Sequence, residues 1–190
     1  MVEIPPTHAT SATSRGTLMA AIVEAQRLGR SEVEAEHLLL ALAADRRAPV
    51  SALLAEHGLD HERILEALRV EREHSLAAVG MAEPPDAARL AAVRTIARPR
   101  WGASTQDAFR YANEGASHAG RQGRHGTTTE DVLYGILSLE LGTVPRALAY
   151  AGIDRLALSA IVKARAGISD APLGWRGARS RLGHDRFHSR

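Results

Sequence analysis

The chain has no cysteine among its 190 residues. Disulfides, thiolate metal centres and cysteine nucleophiles are thereby excluded. Aromatic residues supply only 4% of the sequence, against 45% hydrophobic residues in all. The core must therefore be assembled from Ala, Leu, Val and Ile, which suits close packing of helices. Lysine occurs once, as Lys163, so the basic charge is carried by arginine. No apolar run approaches the roughly 20 residues needed to span a bilayer. The opening Met1-Val2-Glu3-Ile4-Pro5-Pro6 has neither a charged start nor an apolar stretch, so it does not read as a signal peptide. A cytoplasmic protein with no membrane partner is the expectation.

The net charge of +2 conceals an asymmetry. Residues 163–190 hold seven Lys/Arg and two Asp, giving +5, which leaves −3 on residues 1–162. A mildly acidic body thus precedes a basic tail.

What the chain does contain is a duplication. Glu36-His37-Leu38-Leu39-Leu40-Ala41-Leu42 returns as Glu130-Asp131-Val132-Leu133-Tyr134-Gly135-Ile136, an offset of 94. The same offset places Gly29 on Gly123, Leu54 on Leu148, and Gly58-Leu59-Asp60 on Gly152-Ile153-Asp154. Two copies of one small helical unit, packed together, bury the apolar face that each alone would leave wet. Such packing creates a two-fold-like seam where equivalent residues can face one ligand.

Within the first copy, Leu18, Ile22, Ala25 and Leu28 recur at helical spacing and predict a helix over about 14–28, stopped by Gly29. A second helix is expected over about 35–45. A third starts at Pro49, a favoured first-turn residue, and ends at Gly58; a fourth is capped by Asp60 and runs through Ile64, Leu65 and Leu68. The second copy repeats the plan over about 105–119, 129–141, 144–151 and 154–164. Thr127-Thr128-Thr129-Glu130-Asp131 is a strong helix start, with hydroxyl caps and carboxylates three residues on. A capping role for these threonines does not exclude contact with a ligand. The expected organisation is a flexible lead-in over 1–12, repeat one over 13–70, an insertion over 71–103, repeat two over 104–165, and a disordered basic tail over 166–190.

Taken together, Leu28-Gly29, the Glu36–Leu42 motif and a third helix ending in Gly58-Leu59-Asp60 resemble the Clp N-terminal domain, the double-repeat helical module of the Clp unfoldases, of the ClpC type in particular. The resemblance covers about 11–162 in both copies. It implies an all-α fold of two pseudo-symmetric four-helix Clp repeats packed as one domain of about eight helices. It also implies a non-enzymatic protein- or peptide-binding module. Its partners would be protein substrates, adaptors, a Clp unfoldase or cyclic-peptide antibiotics. A phosphate-cradling Walker loop needs glycines before a Lys-Ser/Thr pair, and Lys163 has none. The expectation is a stand-alone receiving domain, acting as decoy or adaptor in Clp proteolysis, with no cofactor.

Some ClpC-type relatives read phosphorylated arginine. By position, their site residues fall on Glu36 and Glu130, on Ser11 and Thr105 at the starts of the first helices, and on Thr129 beside Glu130. Carboxylates suit a guanidinium, and helix-start amides with a hydroxyl suit a phosphate. The plain alternative is that both glutamates only favour the positive ends of their helices. In the first copy Ala35 replaces the hydroxyl, and Glu34 stands where relatives carry glycine. Added negative charge opposes a phosphate, so the second copy is the better candidate.

Other signals weigh less. His184 and His188, and His57 and His61, share a four-residue spacing, but the first pair lacks a third ligand and Gly58 breaks the helix between the second. Gly115-Ala116-Ser117-His118-Ala119-Gly120 misses the spacing of a nucleophile elbow and reads as a small-residue packing face. Trp101 reads as an anchor on the body, with a stacking platform as the alternative. Glu71, Glu73 and His74 read as solvated surface. The arginine-rich tail offers an alternative function, a regulatory protein contacting DNA through phosphate neutralisation, with nucleic acid the less favoured partner.

Overall fold

The computed structural model describes residues 14–81, 100–121 and 127–169. The expectations for Ser11, for the lead-in, for most of the insertion, and for His184, His188 and the tail beyond 169 lie outside these residues.

Eight helices occur among the described residues: α1 (Ser14–Arg27), α2 (Ala35–Ala44), α3 (Pro49–Glu56), α4 (His61–Ala78), α5 (Ala103–His118), α6 (Thr129–Leu137), α7 (Thr143–Tyr150) and α8 (Arg155–Arg165). The architecture is all-α. The two short strands, β1 (Glu32–Val33) and β2 (Arg100–Trp101), form one parallel pair with Glu32 opposite Arg100. Their side chains form an exposed ion pair at 2.5 Å. Trp101 is 40% exposed, and its carbonyl accepts from Gln106 Nε2 at 3.0 Å.

The helix signals act locally as their chemistry requires. Asp60 accepts from Arg63 N at 2.8 Å, and Asp154 accepts from Leu156 N and Ala157 N at 3.0 Å each. Gly58 and Gly152 close α3 and α7 at φ of 71° and 73°, a region costly for any side chain.

Helices α2 and α6 are buried on nearly every face, which is why they are apolar all round. They pack against one another at the centre. Around them the contacts come in matched sets. Helix α1 covers α2 as α5 covers α6; α2 touches α5 as α6 touches α1; α2 touches α7 as α6 touches α3. This is the seam of the duplication. Leu38, Leu39, Leu40, Leu53, Leu133 and Ile136 are fully buried within one continuous core.

The small-residue face of α5 has a visible use. A Cβ on Gly115 would meet Tyr134 Cδ1 and Ile168 Cδ1 at 2.9 Å each, and one on Gly135 would lie 2.0 Å from the Ala108 carbonyl oxygen. Two expectations need correction. Helix α4 runs to Ala78, so the segment between the repeats starts later than 71. Chain order also continues past 166: Ile168 is 8% exposed, and the Ala166 carbonyl accepts from Arg121 Nη1 at 2.5 Å.

Candidate functional site

The larger described groove, about 460 Å³, opens at the start of α2, between α4 and the start of α7. Glu32, Glu34, Glu36 and Glu71 line it, together with Arg30, Arg72 and Arg146. Two of these charges satisfy each other. Glu71 is 4% exposed and accepts from Arg146 Nε and Ser75 Oγ at 2.7 Å each. Beside it, His74 stacks on Tyr150 with ring centroids 4.5 Å apart. Glu71 is therefore not solvated surface, because repeat two lays α7 over this stretch of α4, whereas His74 is exposed apart from that ring contact. Glu73 is bound by Arg69 on the exposed side.

Glu36 is half-buried at the α2 start. Burial pushes its carboxyl pKa upward; its own backbone N–H holds it back, and the nearby Glu34 carboxylate pushes it further up. His37, the next residue, is 1% exposed. Its Nδ1 accepts from the Glu34 N–H at 2.9 Å, which places the ring proton on Nε2. That Nε2 is buried without a hydrogen-bond partner. Burial pushes the His37 pKa down to about 4, so the ring is neutral at pH 7.

The first repeat's site is completed by the second repeat. Ser104 Oγ donates to Glu34 Oε2 at 2.5 Å, and the Ser104 N–H donates to the same oxygen at 3.1 Å. The Ala35 N–H donates to Ser104 Oγ at 2.8 Å. Thr105 is 2% exposed, and its hydroxyl donates to the Val33 carbonyl at 2.7 Å. Thus the starts of α2 and α5 meet, with Thr105 bonded to the first repeat just before α2.

Around the second motif, Thr128 and Asp131 form a reciprocal cap. Thr128 N donates to Asp131 Oδ2 at 2.9 Å, and Asp131 N donates to Thr128 Oγ1 at 3.2 Å. Asp131 is fully buried and bound by Arg121 Nη2. Glu130 is half-buried and accepts from Thr129 Oγ1 at 3.1 Å. Thr129 lines a smaller cleft of about 170 Å³ with Thr17, Ala20, Leu42 and Asp45. Glu36 and Glu130 thus sit at corresponding helix starts, and Glu130 is not among the residues lining the groove that holds Glu36. The doubled motif suggested a seam between the repeats but not the partners across it: neither Glu34 with Ser104 nor Glu71 with Arg146 carried a sequence signal.

No group of three or more His, Asp or Glu suited to a metal occurs among the described residues. His57 Nδ1 is engaged by the Leu53 carbonyl at 2.9 Å, and His61 Nε2 lies 3.3 Å from Glu24 Oε2. No described helix is long and apolar enough to cross a membrane.

Comparison with known proteins agrees with this architecture. The family model of the Clp repeat (R) N-terminal domain matches residues 10–99. Among solved structures, the N-terminal domain of the caseinolytic protease-associated chaperone ClpD from Arabidopsis thaliana aligns with a TM-score of 0.58 and 20% identity, over 85% of this chain and 98% of that one. A structure from work on a malarial protein secretion system aligns with a TM-score of 0.53 and 18% identity, over 80% of this chain and 91% of that one. No curated protein matches the chain. Residues 10–99 thus match the Clp repeat (R) N-terminal domain, and the described architecture shares the all-α fold of these structures.

Proposed function

We propose that this protein is a non-catalytic receiver of protein segments that engages arginine side chains at its two α2-type helix starts, in the setting of Clp-dependent proteolysis. Clp N-terminal domains receive substrates and adaptors in Clp unfoldases, which supports the class of function. The observation that carries the finer reading is Glu36. It is a half-buried carboxylate at the mouth of a groove large enough for a side chain, and its charge is disfavoured by burial and by Glu34. A guanidinium supplies planar, charge-assisted hydrogen bonds to such a group. Glu130, with Thr129 beside it, offers the second such position, and a helix start with a neighbouring hydroxyl is compatible with a phosphorylated arginine there. In this reading the protein is a decoy or adaptor that holds segments destined for an unfoldase.

The test is calorimetric titration of the full chain with matched peptides carrying arginine or phosphoarginine. Glu36→Ala and Glu130→Ala should each remove one class of site. Absence of heat with both peptides, in wild-type protein, overturns the reading.

A further inference from the structure

The junction between the starts of α2 and α5 is already filled by a charge of the chain's own. Glu34 Oε2 takes both the N–H and the hydroxyl of Ser104, at 3.1 and 2.5 Å. The Ala35 N–H is taken by Ser104 Oγ, and the Thr105 hydroxyl by Val33. Each of these groups would otherwise be available to an external anion at a helix start. The fit of the carboxylate is close. A Cβ at position 102 would fall 2.0 Å from Glu34 Cδ and Oε1, so only glycine leaves room for it.

We infer that Glu34 is a built-in anion that makes the first-repeat groove select an unmodified arginine side chain over a phosphorylated one. This rests on the arginine-binding reading above and narrows it. The carboxylates of Glu34 and Glu36 stand side by side at the groove mouth, and a guanidinium relieves their repulsion. A phosphoryl group, at about −1.5 to −2 charges, adds to it. The groove's arginines compensate only in part, since the Glu34 carboxylate raises the Glu36 pKa more than the Arg30 charge lowers it. Arg146 is committed to Glu71, and Arg30 and Arg72 already have partners within the chain. The second repeat carries Thr128 where the first has Glu34, so the two starts differ in charge at the capping position.

The experiment uses the full chain in a Glu130→Ala background, which silences the second start, and peptides identical except for arginine or phosphoarginine. The arginine peptide should bind at least about tenfold tighter, since one added like-charge contact at a partly buried site is worth that factor. Glu34→Gly should raise phosphoarginine affinity by about tenfold. Gly102→Ala should move it in the same direction while keeping the charge count, because the new methyl displaces the carboxylate. Thermal melts accompany both variants, and if either fails to fold, the wild-type preference decides. Equal or tighter binding of the phosphorylated peptide overturns the inference and leaves arginine binding standing. So does an unchanged preference in both folded variants. No binding of either peptide overturns the parent reading and this inference with it.

Discussion

His37 and Asp131, 94 positions apart, make the same hydrogen bond to the N–H of the residue that caps their helix, at 2.9 Å in both repeats. They do so in opposite electrostatic states. Asp131 is paired with Arg121, whereas no charged partner faces His37 closely enough to raise its pKa. Duplication preserved the geometry of the cap and let its charge diverge.

The His37 ring gives a pH dependence of defined sign. Its folded pKa, about 4, lies below the ordinary histidine value of 6.5, so the unfolded chain binds the proton first. Stability from this group is complete above pH 6.5 and falls away as pH drops toward 4, by about 3 kcal/mol at the limit. His37→Gln keeps an acceptor for the cap without titrating. Urea denaturation between pH 7.5 and 4 should show a flatter profile for the variant than for wild type; parallel profiles contradict this.

Asp131 should be among the costliest polar positions. Asp131→Ala strands the Arg121 charge and the Thr128 N–H together, a loss of about 3 kcal/mol. Asp131→Asn retains an acceptor and should lose less. Chemical denaturation midpoints at pH 7 rank the two.

Glu36 is expected to trade stability against binding. Its raised pKa means that ionisation penalises the folded state above the folded pKa, and the penalty fades as pH falls through that value to below 4.5. Glu36→Gln should therefore melt higher than wild type at pH 7, with the gap closing in acid. The same variant should bind arginine peptide about tenfold more weakly, through loss of a charge-assisted hydrogen bond. A lower melting point at pH 7 would sink the first half of this expectation.

Two glycine substitutions should move in opposite directions. Gly135→Ala forces a methyl against the Ala108 backbone, where α5 cannot yield locally, and should cost about 3 kcal/mol. Gly16→Ala meets nothing within 4 Å in an exposed turn of α1 and should gain up to about 1 kcal/mol. A single series of thermal melts compares them.

The sequence disclosed what local chemistry fixes. Asp60, Asp154 and the Thr128–Asp131 cap could be placed because each acts on a backbone group two or three residues away. The apolar run Leu38–Leu42 marked a central helix because no polar face interrupts it. Glu71 misled because Glu71-Arg72-Glu73-His74 looks uniformly polar, and the arginine that neutralises Glu71 lies 75 residues further on. Glu34 could be noticed as an odd charge, but its partner Ser104 is 70 residues away and becomes a neighbour only when the repeats dock. The bond from Thr105 to Val33 of the first repeat was hidden for the same reason: the seam crosses the copies over.

Helix α4, of 18 residues, outruns its counterpart α8, of 11. The extra turns carry His74 onto Tyr150, beside the Glu71–Arg146 pair, whereas across the opposite edge the ion pair is the exposed Arg165–Glu56 contact at 3.6 Å. The two halves are hinged unequally, like a book bound along one margin. Amide deuterium uptake should therefore be faster in α3 and α8, at the free margin, than in α4 and α7.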